Sequence, residues 1–411
     1  MSDPKCRFCQ QSLEHLFIDL GMSPLCQTHI LAEHLNAMEA FYPLRVYVCG
    51  SCLLVQLEEF VAPAEIFTEY AYFSSYSDSW VEHALQYCNL ACDRFSLGSG
   101  SSVIEIASND GYLLQHFIAR NITVLGIEPA ENVARTAIAR GIRTVSLFFG
   151  RESAVRIREQ FGAPDLLIGN NVLAHVPDIN DFVAGMELLL GADGVITMEF
   201  PHLMQLMELN QFDTIYHEHF SYLSFTTATK IFSAHGLTLF DVERLPTHGG
   251  SLRIYACHAA DTSKPIGPRV AELLALESNM GYDRLERYSS FEGQVRVTKR
   301  ALLKFLIDAK NDNKKVVGYG APGKGNTLLN YCGIRTDFLD FTVDRNPYKQ
   351  GKFTPGTHIP IMRPERLFEA RPDYVLILPW NLKDEIMQVL APIRSWGGRF
   401  VVPIPSMQVL D

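Results

Sequence analysis

Two stretches of this chain carry the same order of elements, and that order constrains the fold more than any other feature. Residues 102–106 (Ser102-Val103-Ile104-Glu105-Ile106) form an apolar strand that runs through Ala107-Ser108-Asn109-Asp110-Gly111 into a helix over 112–119. A second strand over 123–128 follows and ends in Glu128. Residues 315–344 repeat the order, with a strand from Lys315, the turn Gly318-Tyr319-Gly320-Ala321-Pro322-Gly323-Lys324-Gly325, a helix, and a strand over 338–343 closed by Asp344. Strand, turn, helix and acid-tipped strand open a doubly wound sheet, in which a ligand lies over the first strand's carboxyl end. The fold class is therefore α/β, with two Rossmann-like sheets, the C-terminal one smaller. At 411 residues the chain is too long for one ordinary core, and two or three domains are expected.

A third element precedes both. Cys6-Arg7-Phe8-Cys9 and Cys49-Gly50-Ser51-Cys52 are paired CxxC knuckles, the second following an alternating strand over 44–48. Two residues between thiolates let one turn present both sulfurs, and two turns complete the tetrahedral set zinc prefers. Four protein sulfurs leave no open position, so Cys6, Cys9, Cys49 and Cys52 are read as ligands of a structural Zn2+ in an N-terminal domain over 1–66. A pair of redox dithiols is the competing reading. Cys26, Cys88, Cys92, Cys257 and Cys332 lack such spacing and read as buried thiols. The net charge of −10 without a basic block argues against a nucleic-acid partner. No apolar run reaches a membrane span, and Met1-Ser2-Asp3-Pro4-Lys5 resembles no export signal, so the expected location is cytoplasmic, with no membrane partner. Oligomeric state stays open, a monomer being one reading.

The segments after Glu128 narrow the ligand. Residues 165–171 are a buried strand ending in Asn170-Asn171, then come His175-Val176-Pro177, a helix over 179–190, a Gly191-Ala192-Asp193-Gly194 loop and a strand over 195–199. A dinucleotide fold opens the same way as 102–128, but this later order resembles the fourth and fifth strands of class I methyltransferases. The resemblance implies S-adenosylmethionine as cofactor in a domain over 67–257. Glu105 and Asp110 would then lie near its methionine end and Glu128 at its ribose. Asn109, Gly111, Asn170 and Asn171 share the same cofactor-facing turns. Phe149 is a candidate adenine neighbour, with a core phenylalanine as the alternative.

Chemistry concentrates just downstream, in Tyr216-His217-Glu218-His219-Phe220-Ser221-Tyr222. On a strand, His217 and His219 would share one face; on a turn, all four polar side chains could converge. Satisfied domain-bridging residues and a His-x-His metal pair are the competing readings. A methyl donor beside a general base suits methylation of an atom that must first lose a proton. Tyr70, Tyr72, Ser74 and Tyr76 precede the first sheet strand; their rings and hydroxyls suit a sugar or base, or pack a domain joint. In the C-terminal domain, over 258–411, an amphipathic helical region to about 310 precedes the glycine-rich turn. There Lys324 could add charge for a phosphate at the helix N-terminus, or the turn could simply be tight. Two nucleotide-type folds suggest two nucleotide-bearing ligands.

Taken together, the CxxC knuckles, the Tyr70–Ser77 aromatic segment, the Glu105–Gly111 turn, the Tyr216–His219 cluster and the Gly318–Gly325 turn are similar to the zinc-containing sugar-nucleotide C-methyltransferases of deoxysugar biosynthesis. The likeness spans essentially the whole chain. It implies a nucleotide-linked 4-keto-deoxyhexose methylated at C-3, with His219 as base and Tyr70, His175, Tyr216 and Glu218 around the sugar. An O- or N-methyltransferase acting on a nucleotide sugar or other small metabolite is the alternative.

Overall fold

In the computed structural model, residues 4–62, 65–66 and 73–411 are described. The chain forms two compact units built from interleaved segments. One comprises Met1–Leu13, Cys49–His202 and Phe220–Arg284, and the other Glu14–Val48, Leu203–His219 and Leu285–Asp411.

The first unit holds a seven-stranded sheet. Its order is Leu237–Leu245, Ser251–His258, Val195–Pro201, Leu166–Asn170, Ser102–Ile106, Thr123–Ile127 and Thr144–Val145. The last five strands run parallel, and the two at the other edge are antiparallel. Four of the five residues of Ser102–Ile106 and of Thr123–Ile127 are buried, as expected of parallel strands covered on both faces. Chain order reverses on either side of Ser102–Ile106. The gap between its carboxyl end and that of Leu166–Asn170 is therefore the topological switch point where such sheets bind ligands.

The helix Asp78–Phe95 starts at Ser77, whose hydroxyl accepts from Trp80 N, and stops at Ser96 in a left-handed conformation. Its buried residues Ala84, Tyr87, Cys88, Ala91 and Cys92 recur at helical spacing and form one apolar stripe. They pack in a core with Leu113, Phe117 and Tyr255. Burying a phenylalanine as completely as Phe117 contributes roughly 1.5–3 kcal/mol, and truncation to alanine would cost about 3–5 kcal/mol.

The second unit holds the expected smaller sheet, in the order Ile361–Met362, Thr342–Val343, Val316–Tyr319, Tyr374–Ile377, Arg399–Val402 and Gln408–Leu410, parallel except for the last pair. An antiparallel hairpin, His15–Ser23 with Tyr42–Val48, belongs to the same unit, with Phe17 stacked on Phe291 at 4.8 Å. The amphipathic region expected up to about 310 is not continuous. Pro268–Asn279 packs on Leu237–Leu245 in the first unit, and Phe291–Asn311 belongs to the second. Gly281, at φ +85°, breaks the helix between them, since only glycine takes that backbone without strain. The strand expected over 338–343 is reduced to Thr342–Val343.

Candidate active site

The four N-terminal sulfurs lie within 4.8 Å of one another, with Cys6–Cys52 and Cys9–Cys49 both at 3.5 Å. Tetrahedral Zn–S bonds of about 2.3 Å require S–S edges of about 3.8 Å, so the set fits zinc. Gln56 Nε2 donates to Cys6 Sγ at 3.2 Å and Ser51 N to Cys49 Sγ at 3.4 Å, the outer bonds that orient thiolate ligands. The hydrogen bond with Cys52 holds Cys6 down to about 4, in the thiolate direction. Within the same unit, Arg7 between these ligands donates to Pro177 O at 2.5 Å, and Asn180 Nδ2 donates to Arg7 O and Phe8 O at 3.0 and 2.9 Å. The zinc knuckle is thereby tied to the loop carrying His175.

At the switch point the turn 107–111 is glycine-poor yet bends as a nucleotide turn must. Ala107 and Asn109 take left-handed φ of 56° and 50°. Gly111 is obligatory: its φ is +78°, and a Cβ there would lie 2.0 Å from Ile142 Cδ1. Asn109 is held twice, its N–H donating to Glu128 Oε2 at 2.9 Å and its Oδ1 accepting from Ser74 N at 2.8 Å. Asp110 pairs with Arg140 at 3.1 Å, and Ser75 Oγ donates to the same carboxylate. Ser74 is thus bound to this turn through its main chain, whereas Tyr76 is exposed and packs on Phe73. Tyr70 and Tyr72 fall outside the described residues.

Both Glu105 oxygens, Asp110 Oδ1, Ser108 Oγ and Asn171 Oδ1 are buried without hydrogen-bond partners among the described residues. Burial, with Glu128 and Asp110 adding like charge, pushes Glu105 well above the usual carboxylate range. Burial also raises Glu128 to about 6, against the N–H groups of Ala130 and Asn109. Clustered, buried carboxylates with unpartnered acceptor atoms suit a cationic, hydroxyl-bearing ligand, and S-adenosylmethionine is one. Asn170 ends its strand beside this cluster, Asn171 follows it, and His175 closes the short turn Leu173–His175 just after. Phe149 is half-buried and meets Phe182 edge-on at 5.3 Å.

In the second unit, Tyr216–His219 is a turn rather than a strand, closed by His219 N donating to Tyr216 O at 2.9 Å. His219 Nδ1 lies 2.8 Å from Thr214 O. A carbonyl only accepts, so Nδ1 carries the proton and Nε2 holds the lone pair, the tautomer a base needs. Tyr216 packs on the His219 ring at 4.0 Å between centroids. His217, by contrast, donates Nε2–H to Pro43 O at 3.1 Å and is driven toward its neutral form by burial, while its Nδ1 is buried without a partner among the described residues. Among the described residues the Cys6–Cys52 set is the metal-capable cluster, and the His-x-His pair forms none.

Several contributors carry no local sequence signal. Glu218 Oε1 accepts from the Cys26 thiol at 3.3 Å, and burial followed by the Glu218 charge keeps that thiol protonated. Asp213, fully buried, accepts from Trp380 Nε1 at 2.8 Å and is raised by burial to about 7. It anchors the turn Phe212–Thr214 from which the Thr214 carbonyl reaches His219. Lys324 is half-buried, donates to Asn381 Oδ1 at 2.8 Å and lies over the Trp380 ring at 4.7 Å, so protein groups already engage its ammonium. The glycines of its turn have packing reasons: a Cβ at Gly323 would meet Cys26 Sγ at 3.0 Å, one at Gly325 would meet Leu378 at 2.9 Å, and Gly320 sits at φ +87° against Pro379.

Comparison with known proteins bears on this geometry. Residues 6–67 match a putative zinc binding domain, 80–242 a methyltransferase domain and 246–405 a C-methyltransferase C-terminal domain. The chain is 36% identical over 407 residues to the C-methyltransferase NovU of Streptomyces niveus, covering 99% of this chain and 97% of that one. Among solved structures, magnesium protoporphyrin IX methyltransferase from Synechocystis PCC 6803 with bound SAH is 13% identical, with a TM-score of 0.35 over 43% of this chain and 83% of that one. The CcbJ methyltransferase from Streptomyces caelestis is 10% identical, with the same TM-score over 43% of this chain and 90% of that one. No helix among the described residues is long and apolar enough to cross a membrane. With four clustered cysteines in a zinc binding domain and a methyltransferase domain behind it, this chain belongs to the S-adenosylmethionine-dependent C-methyltransferases.

Proposed function

We propose that this C-methyltransferase acts on C-3 of a nucleotide-linked 4-keto-deoxyhexose in the cytoplasmic biosynthesis of a branched deoxysugar. We propose also that segments 1–66, 67–257 and 258–411 serve zinc binding, methyl-donor binding and sugar-nucleotide binding in turn. The observation that carries the reading is the His219 tautomer, a buried imidazole whose Nδ1–H is held by Thr214 O. Its Nε2 lone pair would take the C-3 proton.

A carbon beside a ketone is acidic only through its enolate, so charge must be stabilised on the C-4 oxygen as the proton leaves. Tyr216, His175 and Tyr70 are the proposed donors, and Glu218, fixed by Cys26, holds a sugar hydroxyl. Bound S-adenosylmethionine supplies a methyl on a positively charged sulfur, so the C–C bond forms as the S–C bond breaks. Glu105, Asn109, Asp110, Gly111, Glu128, Asn170 and Asn171 are proposed to hold that donor, with Phe149 at its adenine. His219 then returns its proton to solvent. Family membership puts the new bond on carbon rather than on oxygen or nitrogen.

The test incubates the full chain with methyl-labelled donor and a panel of 4-keto sugar nucleotides, and locates the label by NMR. Label at C-3 is expected. Label confined to a hydroxyl or amine, or transfer only to non-sugar acceptors, would overturn the reading.

A further inference from the structure

We propose that His248 is a positioning residue for the methyl donor, acting through the side-chain amide of Asn171. Asn171 follows the strand Leu166–Asn170 at the switch point. Its Nδ2 lies 3.2 Å from His248 Nε2, while its Oδ1 is buried without a partner among the described residues. Both residues hold left-handed backbones that side chains rarely adopt, at φ 53° and 54°, and such conformations persist where the surroundings impose them.

The surroundings of His248 do so. It sits in the turn Thr247–Gly249 ahead of Gly250, with the two glycines at φ 92° and 122°. Thr247 Oγ1 donates to Glu199 Oε1 at 2.8 Å. Glu199 is fully buried and also binds His83 at 2.9 Å and Arg253 at 2.6 Å. Trp80 packs on the His248 ring at 5.0 Å. This network grips both backbone and imidazole.

An amide nitrogen can only donate, so the contact makes His248 Nε2 the acceptor and puts the ring proton on Nδ1. The amide is then locked with its carbonyl oxygen presented at the switch point. There a lone acceptor suits the α-ammonium of the donor's methionine end. The inference rests on donor dependence alone and is independent of which sugar is methylated.

The experiment measures S-adenosylmethionine and S-adenosylhomocysteine affinities of the full chain by titration calorimetry, for His248→Asn, His248→Gln, Asn171→Ala and the double variant His248→Asn/Asn171→Ala. Asparagine tolerates the left-handed backbone, so His248→Asn removes the imidazole without adding strain. Loss of one hydrogen bond should weaken both ligands about fivefold in His248→Asn and in Asn171→Ala. The double variant should be no weaker than either single one, because the two residues act as a unit. His248→Gln, which keeps an acceptor, should recover most of the affinity. Wild-type affinity in His248→Asn, or losses that multiply in the double variant, would overturn the proposal. Should His248→Asn fail to fold, His248→Gln against His248→Leu decides in the same terms: equal affinities refute it, and weaker binding by leucine alone supports it.

Discussion

The turns over 107–111 and 320–325 open sheets of the same kind, yet they spend their polar atoms differently. The first has one glycine, forces Ala107 and Asn109 into left-handed backbone, and leaves Glu105, Ser108 and Asp110 oxygens buried without partners. The second is rich in glycine, but each glycine side faces a neighbouring atom, Lys324 is engaged by Asn381, and Asp344 accepts from Ala321 N at 2.7 Å and Asn346 N at 2.8 Å. Glycine count is therefore a poor guide to a ligand cradle. Orphaned buried polar atoms are a better one, because each costs about 1–3 kcal/mol unless a ligand satisfies it.

If donor binding belongs to the first unit and proton abstraction to the second, variants in the two should fail in separable ways. The largest effect is expected from His219→Asn: turnover and exchange of the substrate's C-3 proton with deuterium should fall about a thousandfold, with donor affinity unchanged by calorimetry. Persistent exchange would remove His219 from the base role. Next, Gly111→Ala should destabilise the chain by about 3 kcal/mol in denaturant unfolding, combining left-handed strain with the clash on Ile142. Gly323→Ala should cost less than about 1 kcal/mol, since improved helix propensity offsets the push on Cys26. Equal losses would break the contrast between the two turns.

A smaller effect follows from Glu128. Its pKa is raised to about 6, so the folded chain holds a proton that the unfolded chain releases from about 4.5. Stability of the ligand-free protein should therefore fall as pH rises through that window. A cationic donor favours the ionised form, so donor affinity should climb roughly tenfold between about pH 5 and pH 7 and then level off. A flat profile would show that Glu128 does not face the donor's charge. The smallest effect is expected from Lys324→Met, which should leave the KM for sugar nucleotide within about twofold, because Asn381 and Trp380 already engage its ammonium. A tenfold rise would make the second turn a ligand cradle after all.

Much of this was legible in the residues. CxxC spacing is local, so it reports its own sulfur geometry, and the alternation of Leu44, Val46 and Val48 appears as a half-buried strand. The parallel strands read as apolar runs because both faces are covered. The helix expected over 179–190 appears as Ile179–Leu189. Other features depend on distant partners. His217 and His219 look equivalent in sequence; only Pro43 O and Thr214 O show that one donates from Nε2 and the other from Nδ1. Cys26 reads as an inert thiol until it lies against Glu218, 192 positions away. Asp213 looks like a surface acid until Trp380 covers it, and His248 looks like a turn residue until Asn171 meets it.

Sequence alone determined the α/β class, the clustered CxxC cysteines and the doubly wound sheets, and pointed to the stretch where a base is sought, because each is written in spacing or periodicity along a few neighbouring residues. Tertiary structure decided which ring nitrogen of each histidine donates, which carboxylates burial pushes upward and which glycines serve packing. Those properties arise from burial and from hydrogen bonds between residues far apart in the chain, and no local pattern encodes them.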